Sequence, residues 1–417
     1  MLETPLQVKR TLTTGQCIDV GALAENKTGV YFQYDKEYLQ RRNSSLAPFN
    51  LAFSKELQKA PKQPHYGLHG VFADSLPDGW GLYLLDRVLR KNGFNPQRVS
   101  ALERLAVIGG NCLGALSYQP QTSLNQSPTE DIALTALGKE AVKEFEGTET
   151  ELIEHLQTAG GSGGARPKLN ATLMENGQYS THPDASGKKL IIKLTSEKFL
   201  LKHEESLVES IYLTIAKKVG IDVPEFSLFD AGDGKFWLQQ TRFDCVNHQR
   251  VSHGRYHMIS ACGLLDASFR EPSLDYVDLV KATRLLCGVD DAKKFVKRML
   301  FNYIMVNQDD HSKNFSFLAD DEDNWQLSPC YDIVYSPSPY EEHMTAFNGN
   351  GRFPDKEALE IIAAQAGFNN SKPINQMVEE IAEAAQSFET EAKCVGISNT
   401  LIRTITEDIK KRISTIS

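Results

Sequence analysis

Apolar positions change their spacing along the chain, and the change divides it into a β-rich part and a helical part. Between residues 169 and 244, short apolar runs such as Leu169 to Met174 are separated by turns, and Asn176-Gly177 is typical of a β-hairpin. After residue 255, apolar residues recur every three or four positions, as in Asp290 to Val306, and this spacing predicts helices. One helix, Glu204 to Val219, interrupts the β-rich part and is expected to end at Gly220.

The same patterns predict further elements in both parts. The other strands expected in the β-rich part are Leu190 to Leu194, Val223 to Phe229 and Lys235 to Gln240. The other helices expected in the helical part are Asp355 to Gln365, Ile374 to Ala392 and Asn399 to Ile413.

The first 120 residues have the pattern of a small mixed unit. Gly29 to Tyr34 alternates like a strand, and Ser45 to Phe53 is a second extended stretch in which Pro48 favours an edge strand or a bend. Pro77-Asp78-Gly79 is interpreted as a turn that begins a helix. Residues 120–130 are polar, hold two prolines and are typical of a linker. We therefore predict three parts, with boundaries at 1–120, 121–244 and 245–417.

Composition narrows the class of protein. The 417 residues are 41% hydrophobic and carry a formal net charge of −9, so the chain as a whole has no basic surface for nucleic acid, although a local patch is not excluded. No uncharged apolar stretch is long enough to span a membrane, and the first residues lack the apolar core of a signal peptide. The seven cysteines are scattered, odd in number and form no CxxC, which favours a reduced, cytoplasmic protein.

The stretch Asn307 to Phe317, NQDDHSKNFSF, concentrates the candidate chemistry. Asp309 and Asn314 have the D-x-x-x-x-N spacing of a protein-kinase catalytic loop, and a further acid, Asp332, follows. Phosphoryl transfer needs a carboxylate near the attacking hydroxyl, with further oxygen ligands that hold Mg²⁺ on the phosphates. The spacing alone is also compatible with a polar loop capped by Asn and Asp. Asp310, which is out of phase with Asn314, is interpreted as a supporting neighbour.

Two earlier features fit the same chemistry. Gly160 to Lys168 has four glycines in five residues, so its backbone N–H groups can surround an anion, although a flexible connector is also possible. Lys193 interrupts an apolar strand and is either a solvent-facing lysine or a phosphate contact. Glu205 and Glu209 are one helical turn apart, so either could pair with Lys193 or lie in a solvated face. The order of these features predicts an α+β, bilobal protein-kinase-like fold, with a β-rich N-lobe, an extra N-terminal subdomain and an all-helical C-lobe.

These motifs resemble those of the HipA-like serine/threonine kinases, the toxins of bacterial toxin–antitoxin pairs. The resemblance covers nearly the whole chain and is carried by FADSLPDGWG, GGNCLGALSY, GGARPK, LIIKLT, TRFD, NQDDHSKNFSF and LSPCYDIVYS. It implies that Asp309 is the catalytic acid and that Asn314 and Asp332 hold Mg²⁺. Of the two glutamates on the helix that follows Lys193, we choose Glu209 as the candidate partner of Lys193. The residues that the resemblance assigns to ATP binding are Gly163, Gly164, Ala165, Lys168, Lys193, Gln239, Thr241, Phe243, His311, Lys313 and Asn314.

The resemblance also implies function and regulation. An ATP- and Mg²⁺-dependent kinase would phosphorylate a host protein, and targets in the family include aminoacyl-tRNA synthetases. Ser162 lies about one residue from the position at which relatives phosphorylate themselves and switch off. The expected partners are a protein substrate and a small helix-turn-helix antitoxin, with DNA contacted only through that antitoxin and no membrane contact. A kinase with a small-molecule substrate and a pseudokinase that acts through the antitoxin are alternatives, although the intact Asp309, Asn314, Asp332 and Lys193 disfavour a pseudokinase.

Overall fold

Alternating burial along the first strands builds an N-terminal antiparallel sheet. In the computed structural model, which describes residues 4–122, 130–161, 163–246 and 253–416, Leu6, Val8 and Arg10 point inward on the first strand. The strand order is β4-β3-β2-β1-β5. The strands are β1 (Leu6–Thr11), β2 (Cys17–Asn26), β3 (Gly29–Tyr34), β4 (Gln58–Lys59) and β5 (Leu116–Gln119). The helices of this part are α1 (Lys36–Arg41), α2 (Gly70–Ala73), α3 (Gly79–Lys91) and α4 (Ala101–Ile108).

The prediction that Ser45 to Phe53 is extended is wrong, although the chain does bend at Pro48, which was the alternative to an edge strand. The segment forms turns, and the sheet edge is made by β4 instead. The Ser45 hydroxyl donates to the Leu51 carbonyl at 2.6 Å and accepts from the Ala47 N–H at 3.1 Å. These local side-chain bonds satisfy backbone groups that a strand would have needed for its ladder.

A second antiparallel sheet occupies the predicted β-rich part. Its order is β7-β6-β8-β10-β9, and the β6–β7 hairpin turns at the predicted Asn176-Gly177. The strands are β6 (Lys168–Leu173), β7 (Tyr179–Ser180), β8 (Lys188–Lys193), β9 (Phe226–Gly232) and β10 (Lys235–Thr241). The helices are α5 (Leu134–Glu146), α6 (Ile153–Ala159) and α7 (Glu205–Lys218), and Gly220 follows α7 with φ +77° as predicted. Residues 123–129 of the predicted linker lie outside the described residues.

The two faces of this second sheet have different neighbours. Leu169, Ile192 and Trp237 belong to one apolar cluster that also contains residues of α3, α5 and α6. Leu238 belongs instead to the large cluster that includes α7 and the helices of the C-terminal part. The opposite face of the sheet, which includes Lys193, is therefore the one that borders the C-terminal part.

The sequence predicted an all-helical C-terminal part, and this prediction is wrong because the part also contains strands. It contains a three-stranded sheet in the order β11-β13-β14 and a parallel pair, β12 with β15. The strands are β11 (His257–Ser260), β12 (Leu274–Asp275), β13 (Ser316–Ala319), β14 (Trp325–Leu327) and β15 (Thr345–Ala346). All residues of β13 are buried, so the strand lacks the alternation by which a half-buried strand is recognised.

The helices of this part surround those strands. They are α8 (Ala261–Leu264), α9 (Tyr276–Cys287), α10 (Val289–Ile304), α11 (Lys356–Ala366), α12 (Lys372–Ala385), α13 (Phe388–Val395) and α14 (Asn399–Ile416). The single helix predicted from Ile374 to Ala392 is two helices, because the chain turns at Gln386 and Ser387, where the Ser387 hydroxyl donates to the Ala384 carbonyl at 2.8 Å. Among the described residues, no helix has the length and apolar character needed to cross a membrane.

Buried charges fasten the N-terminal sheet to the turn between β13 and β14. The Arg10 guanidinium donates to the Asp323 carboxylate at 2.8 Å and to the Asp320 carbonyl at 2.5 Å. The Thr13 hydroxyl donates to Asp321 at 2.6 Å. Because the side chains of Arg10 and Asp323 are only 2% and 5% exposed, loss of one partner leaves the other charge without hydration.

Arg10→Ala is expected to lower the free energy of unfolding by about 3 kcal/mol, because it leaves the Asp323 carboxylate buried and unpaired. Lys9→Ala is the matched control, since Lys9 lies on the same strand and also pairs with an aspartate at 2.6 Å, but at an exposed position. Its effect should be below about 1 kcal/mol. Urea unfolding followed by circular dichroism measures both, and equal effects would contradict the docking role of Arg10.

Candidate active site

The catalytic-loop motif begins at a strained turn that follows α10. The last helical residue is Ile304, and Val306 has φ +57°, a conformation that β-branched residues rarely adopt. Asn307 fixes the chain beyond this turn, because its amide donates to the Asn302 side chain at 3.0 Å and accepts from the Ser336 hydroxyl at 2.9 Å. The loop therefore leaves the helix in a defined direction.

Asp310 anchors the loop from inside the protein. Its side chain is fully buried, and one carboxylate oxygen accepts from the Tyr276 hydroxyl at 2.5 Å and bonds the His343 ring at 2.8 Å. The other oxygen accepts from the Met344 N–H at 2.9 Å and the Thr345 N–H at 3.3 Å. The carboxylate thus ties the loop to α9 and to the segment around β15, and it has no free oxygen with which to meet a substrate.

Asp309 has the opposite environment. The residue is exposed, and its carboxylate accepts no hydrogen bond from the described residues. Partial loss of hydration and the nearby Asp332 charge raise the pKa of Asp309, whereas His311 and Arg166 oppose the shift. The His311 ring packs near Phe269, with centroids 6.2 Å apart, and its buried Nδ1 has no hydrogen-bond partner among the described residues.

Asn314 completes the loop in a 3₁₀ turn, Ser312–Asn314. Its side-chain N–H donates to the Asp309 carbonyl at 2.7 Å, which orients the amide and leaves its oxygen available. The five-residue spacing read from the sequence therefore produces a direct contact between the Asp309 backbone and the Asn314 side chain.

Lys193 lies between two carboxylates where the second sheet borders the C-terminal part, and we call this border the cleft. Its ammonium is 2.5 Å from Glu209 on α7 and 2.8 Å from Asp332. Burial alone would lower the pKa of Lys193, but the two carboxylates outweigh it and raise that pKa above its ordinary value. Burial likewise opposes ionisation of Asp332, yet Lys193, Lys168 and Arg166 hold the pKa of Asp332 far below its ordinary value. The structure selects Glu209 as the partner of Lys193.

Glu205, the alternative partner, pairs with the glycine-rich loop instead. Its carboxylate is 2.8 Å from the Arg166 guanidinium. Burial raises the pKa of Glu205 to about 7, although Arg166 opposes the shift. Lys168 is buried at the end of the same loop and donates back to the Gly163 carbonyl at 2.5 Å. Ser162, the candidate phosphorylation position, lies outside the described residues.

The loop rests on the start of α3. The Gly164 N–H donates to the Asp78 carboxylate, and the Gly164 carbonyl accepts from the Trp80 N–H at 3.0 Å. Gly79 lets the two backbones approach, because a Cβ at Gly79 would lie 2.5 Å from the Gly164 oxygen and 2.6 Å from the Cα of Ala165. The predicted loop residues Gly163, Gly164 and Ala165 are therefore in place beside the cleft.

Strand β10, which we call the hinge strand, carries the predicted ATP-binding residues Gln239 and Thr241 but presents other side chains to the site. Gln239 pairs with Ile192 in register, and its side chain accepts from the Tyr179 hydroxyl at 2.7 Å on the face opposite to Lys193. Thr241 pairs with Leu190 and shares that opposite face, so either residue can reach the cleft only through its backbone. Gln240, which pairs with Ile191, shares the face of Lys193, and its buried Nε2 has no partner among the described residues.

Phe243 follows this strand and contacts the C-terminal part. The centre of its ring lies 5.4 Å from the centre of the Tyr331 ring, and Tyr331 directly precedes Asp332. The Tyr331 hydroxyl in turn donates to the Lys313 carbonyl at 2.7 Å. The aromatic pair therefore connects the hinge strand with the catalytic loop.

Two residues of the site were missed by the interpretation of the sequence. Asp78 was interpreted as part of a turn, but it also contacts Lys313, whose ammonium donates to it at 2.6 Å. Gln240 was passed over in favour of Gln239. Side chains alternate between the two faces along a strand, but the face of Lys193 on β8 can be matched to residues of β10 only when the pairing register of the two strands is known. The sequence therefore contained no signal that selects Gln240.

The residues present fit a magnesium-bound nucleotide. Asp332 uses one oxygen for Lys193, and the described residues supply no donor to its second oxygen or to the Asn314 amide oxygen. Such hard oxygen ligands are those that Mg²⁺ prefers. Gln240 adds, on the same face of the sheet as Lys193, a polar atom that has no partner among the described residues.

Family models match both halves of the chain. The model described as "HipA-like C-terminal domain" matches residues 160–388, and the model described as "HipA N-terminal domain" matches residues 15–119. The first match alone covers more than half of the chain and contains Lys193, Asp309, Asn314 and Asp332.

The chain is also similar to individual proteins. The chain is 25% identical over 357 residues to the Sinorhizobium fredii protein named "Putative kinase Y4dM", covering 80% of each chain. It is 27% identical over 190 residues to a Haemophilus influenzae protein of similar name, covering 43% of this chain and 53% of that one. A solved structure of HipA from Shewanella oneidensis, in complex with HipB and operator DNA, matches 99% of this chain and 97% of its own with a TM-score of 0.67 at 17% identity. This last similarity establishes the shared fold.

The two adjacent aspartates are expected to respond differently to the same substitution. Asp310→Asn should lower the free energy of unfolding by about 3 kcal/mol, because an amide cannot accept all four of the hydrogen bonds that the buried carboxylate receives. Asp309→Asn should change it by less than about 1 kcal/mol, because the Asp309 carboxylate is exposed and accepts no hydrogen bond in the described part of the chain. Thermal or urea denaturation of the two variants decides between them, and equal destabilisation would contradict this division of roles.

Proposed function

Because the chain belongs to the HipA-like family, we propose that it is an ATP- and Mg²⁺-dependent protein kinase that phosphorylates a serine or threonine of a host protein. The observation that carries the proposal is the Lys193 ammonium held between Glu209 and Asp332, beside a loop in which Asp309 is exposed. A lysine paired with a helix glutamate and facing a metal-binding aspartate is the arrangement that phosphoryl transfer uses.

The side chains would divide the work as follows. Lys193 stays protonated between its two carboxylates and can donate to phosphate oxygens. Asp309 accepts a hydrogen bond from the substrate hydroxyl and takes its proton on a carboxylate oxygen. The substrate oxygen forms a bond to the γ-phosphorus of ATP as the bond from that phosphorus to the β–γ bridging oxygen breaks, and ADP leaves with that oxygen. Asn314 and Asp332 would hold Mg²⁺, which when bound neutralises charge on the phosphates. Gln240 and Phe243 are available to contact the base, together with the backbone of the hinge strand.

We also propose that the protein works with a small DNA-binding antitoxin. The Shewanella oneidensis relative of the same fold was solved with HipB and its operator DNA, which supports such a partner here. The net charge of −9 fits a chain that contacts DNA mainly through that partner. The toxin role, and an aminoacyl-tRNA synthetase as the target, belong to the same proposal.

Label transfer from radiolabelled ATP to proteins of a host-cell lysate tests the kinase function. Wild-type protein with Mg²⁺ should label at least one protein band, and Asp309→Asn should reduce the label about a hundredfold or more, because proton acceptance is lost. Lys193→Met should reduce it by a similar factor. Asp290→Asn, an exposed aspartate at the start of α10, is the control and should leave the label unchanged. Label that survives Asp309→Asn would contradict the assignment of Asp309. Label found only on small molecules would show that the substrate is a small molecule and not a protein.

Autophosphorylation of Ser162 is a separate expectation. A phosphate there would add roughly −1.5 to −2 charges next to the glycine-rich loop and would compete with the phosphates of ATP. Mass spectrometry of protein incubated with ATP and Mg²⁺ should find phosphate on Ser162 in the wild type and none in Asp309→Asn. Phosphate at another position, or an equal amount in both proteins, would show that Ser162 is not the site.

A further inference from the structure

The Asp78 carboxylate joins two loops that are far apart in the sequence. One oxygen accepts from the Gly164 N–H in the glycine-rich loop, 86 residues further along the chain. The other accepts from the Lys313 ammonium in the catalytic loop at 2.6 Å, across 235 residues. Asp78 itself belongs to the N-terminal part and is only 6% exposed. A single buried carboxylate thus contacts all three predicted parts of the chain.

Asp78 does not do what an aspartate at the start of a helix usually does. Such a residue normally accepts hydrogen bonds from the first free N–H groups of its own helix. At α3, however, the Asp78 side chain makes no capping bond, and the Trp80 N–H is used by the Gly164 carbonyl at 3.0 Å. The helix start therefore holds both the N–H and the carbonyl of Gly164, which fixes the path of the glycine-rich loop at that residue.

Lys313, the partner of Asp78 in the catalytic loop, is also held by a second contact. Its ammonium lies 4.3 Å from the centre of the Phe269 ring, in addition to its pairing with Asp78. Burial alone would raise the pKa of Asp78, but Lys313 and the Gly164 N–H outweigh it and lower that pKa, so the bridge is an ion pair at neutral pH. Lys313 directly precedes Asn314, whose side-chain oxygen is a candidate Mg²⁺ ligand.

From this geometry we propose that Asp78 is a positioning residue: it sets the distance between the glycine-rich loop and the catalytic loop and thereby shapes the site for ATP. The inference rests on the proposed kinase function, because both loops matter only if they hold the same nucleotide. It makes the N-terminal subdomain a part of the nucleotide site, in addition to any role in docking partners. Asp78 touches no reacting atom itself and acts through Gly164 and Lys313.

Nucleotide affinity measured by titration calorimetry with Mg²⁺ and a non-hydrolysable ATP analogue tests the proposal. Asp78→Ala removes both contacts and should weaken binding about tenfold or more. It should raise the KM for ATP by a similar factor, with a smaller change in kcat. Asp86→Asn is the matched control, since Asp86 lies on the same helix and pairs with Arg104 at 2.7 Å away from both loops. Its affinity should equal that of the wild type.

Two milder variants keep the test decisive if Asp78→Ala does not fold. Asp78→Asn retains an acceptor for the Gly164 N–H but loses the ion pair, and Lys313→Met breaks the same ion pair from the other side. The loss of affinity in the Asp78→Asn/Lys313→Met double variant should be smaller than the two single losses combined, because both changes remove one shared interaction. Thermal denaturation confirms that each variant is folded at the temperature of the titration.

The possible failures are distinguishable. Wild-type protein that binds no nucleotide would overturn the kinase function and the role of Asp78 together. Wild-type binding that Asp78→Ala and Asp78→Asn both leave unchanged would overturn the role of Asp78 alone. Fully additive losses in the double variant would also overturn it, because Asp78 and Lys313 would then act independently.

Discussion

The buried Lys193 ammonium, held between Glu209 and Asp332, is the interaction on which the arrangement of the cleft depends. It joins β8 and α7, whose paired residues are 16 positions apart, to the segment after β14, whose Asp332 is 139 positions from Lys193. Each of these charges would be costly to bury alone, and each is compensated only when all three elements are in place. Asp332 reaches this position with φ +55°, a conformation that the ion pair and the neighbouring Phe243–Tyr331 contact help to hold.

Many polar contacts connect the N-terminal subdomain to the rest of the molecule, and two of them reach loops that matter for the site or for docking. At one, Arg10 is paired with Asp323 in the turn between β13 and β14. At the other, Asp78 lies between Gly164 and Lys313. The apolar side chains agree with this, because one continuous buried cluster contains residues of the first sheet, α7 and the C-terminal helices. A subdomain held in this way is suited to position the loops of a site and not only to carry a binding surface.

The adjacent residues Asp309 and Asp310 have different roles, because one is placed for chemistry and the other holds the loop. The two carboxylates are identical groups on consecutive residues, yet one is exposed and the other is fully buried with four hydrogen bonds. The buried one fixes the loop, and this lets the exposed one keep a defined position without partners of its own. Asn314 adds to that order by bonding the Asp309 carbonyl.

The sequence by itself determined the features that depend on near neighbours in the chain. These are the helices with their three-four spacing, the Asn176-Gly177 hairpin, the end of α7 at Gly220, and the order of the glycine-rich loop, the lysine and the Asp-x₄-Asn loop. Only the tertiary structure decided that Gln240 rather than Gln239 faces the cleft and that Asp78 bridges two loops. It places Glu209, the candidate chosen from the sequence, beside Lys193. It also revealed the short strands of the C-terminal part. Those features depend on strand register and on contacts between residues that are far apart in the chain, and neither propensity nor periodicity encodes them.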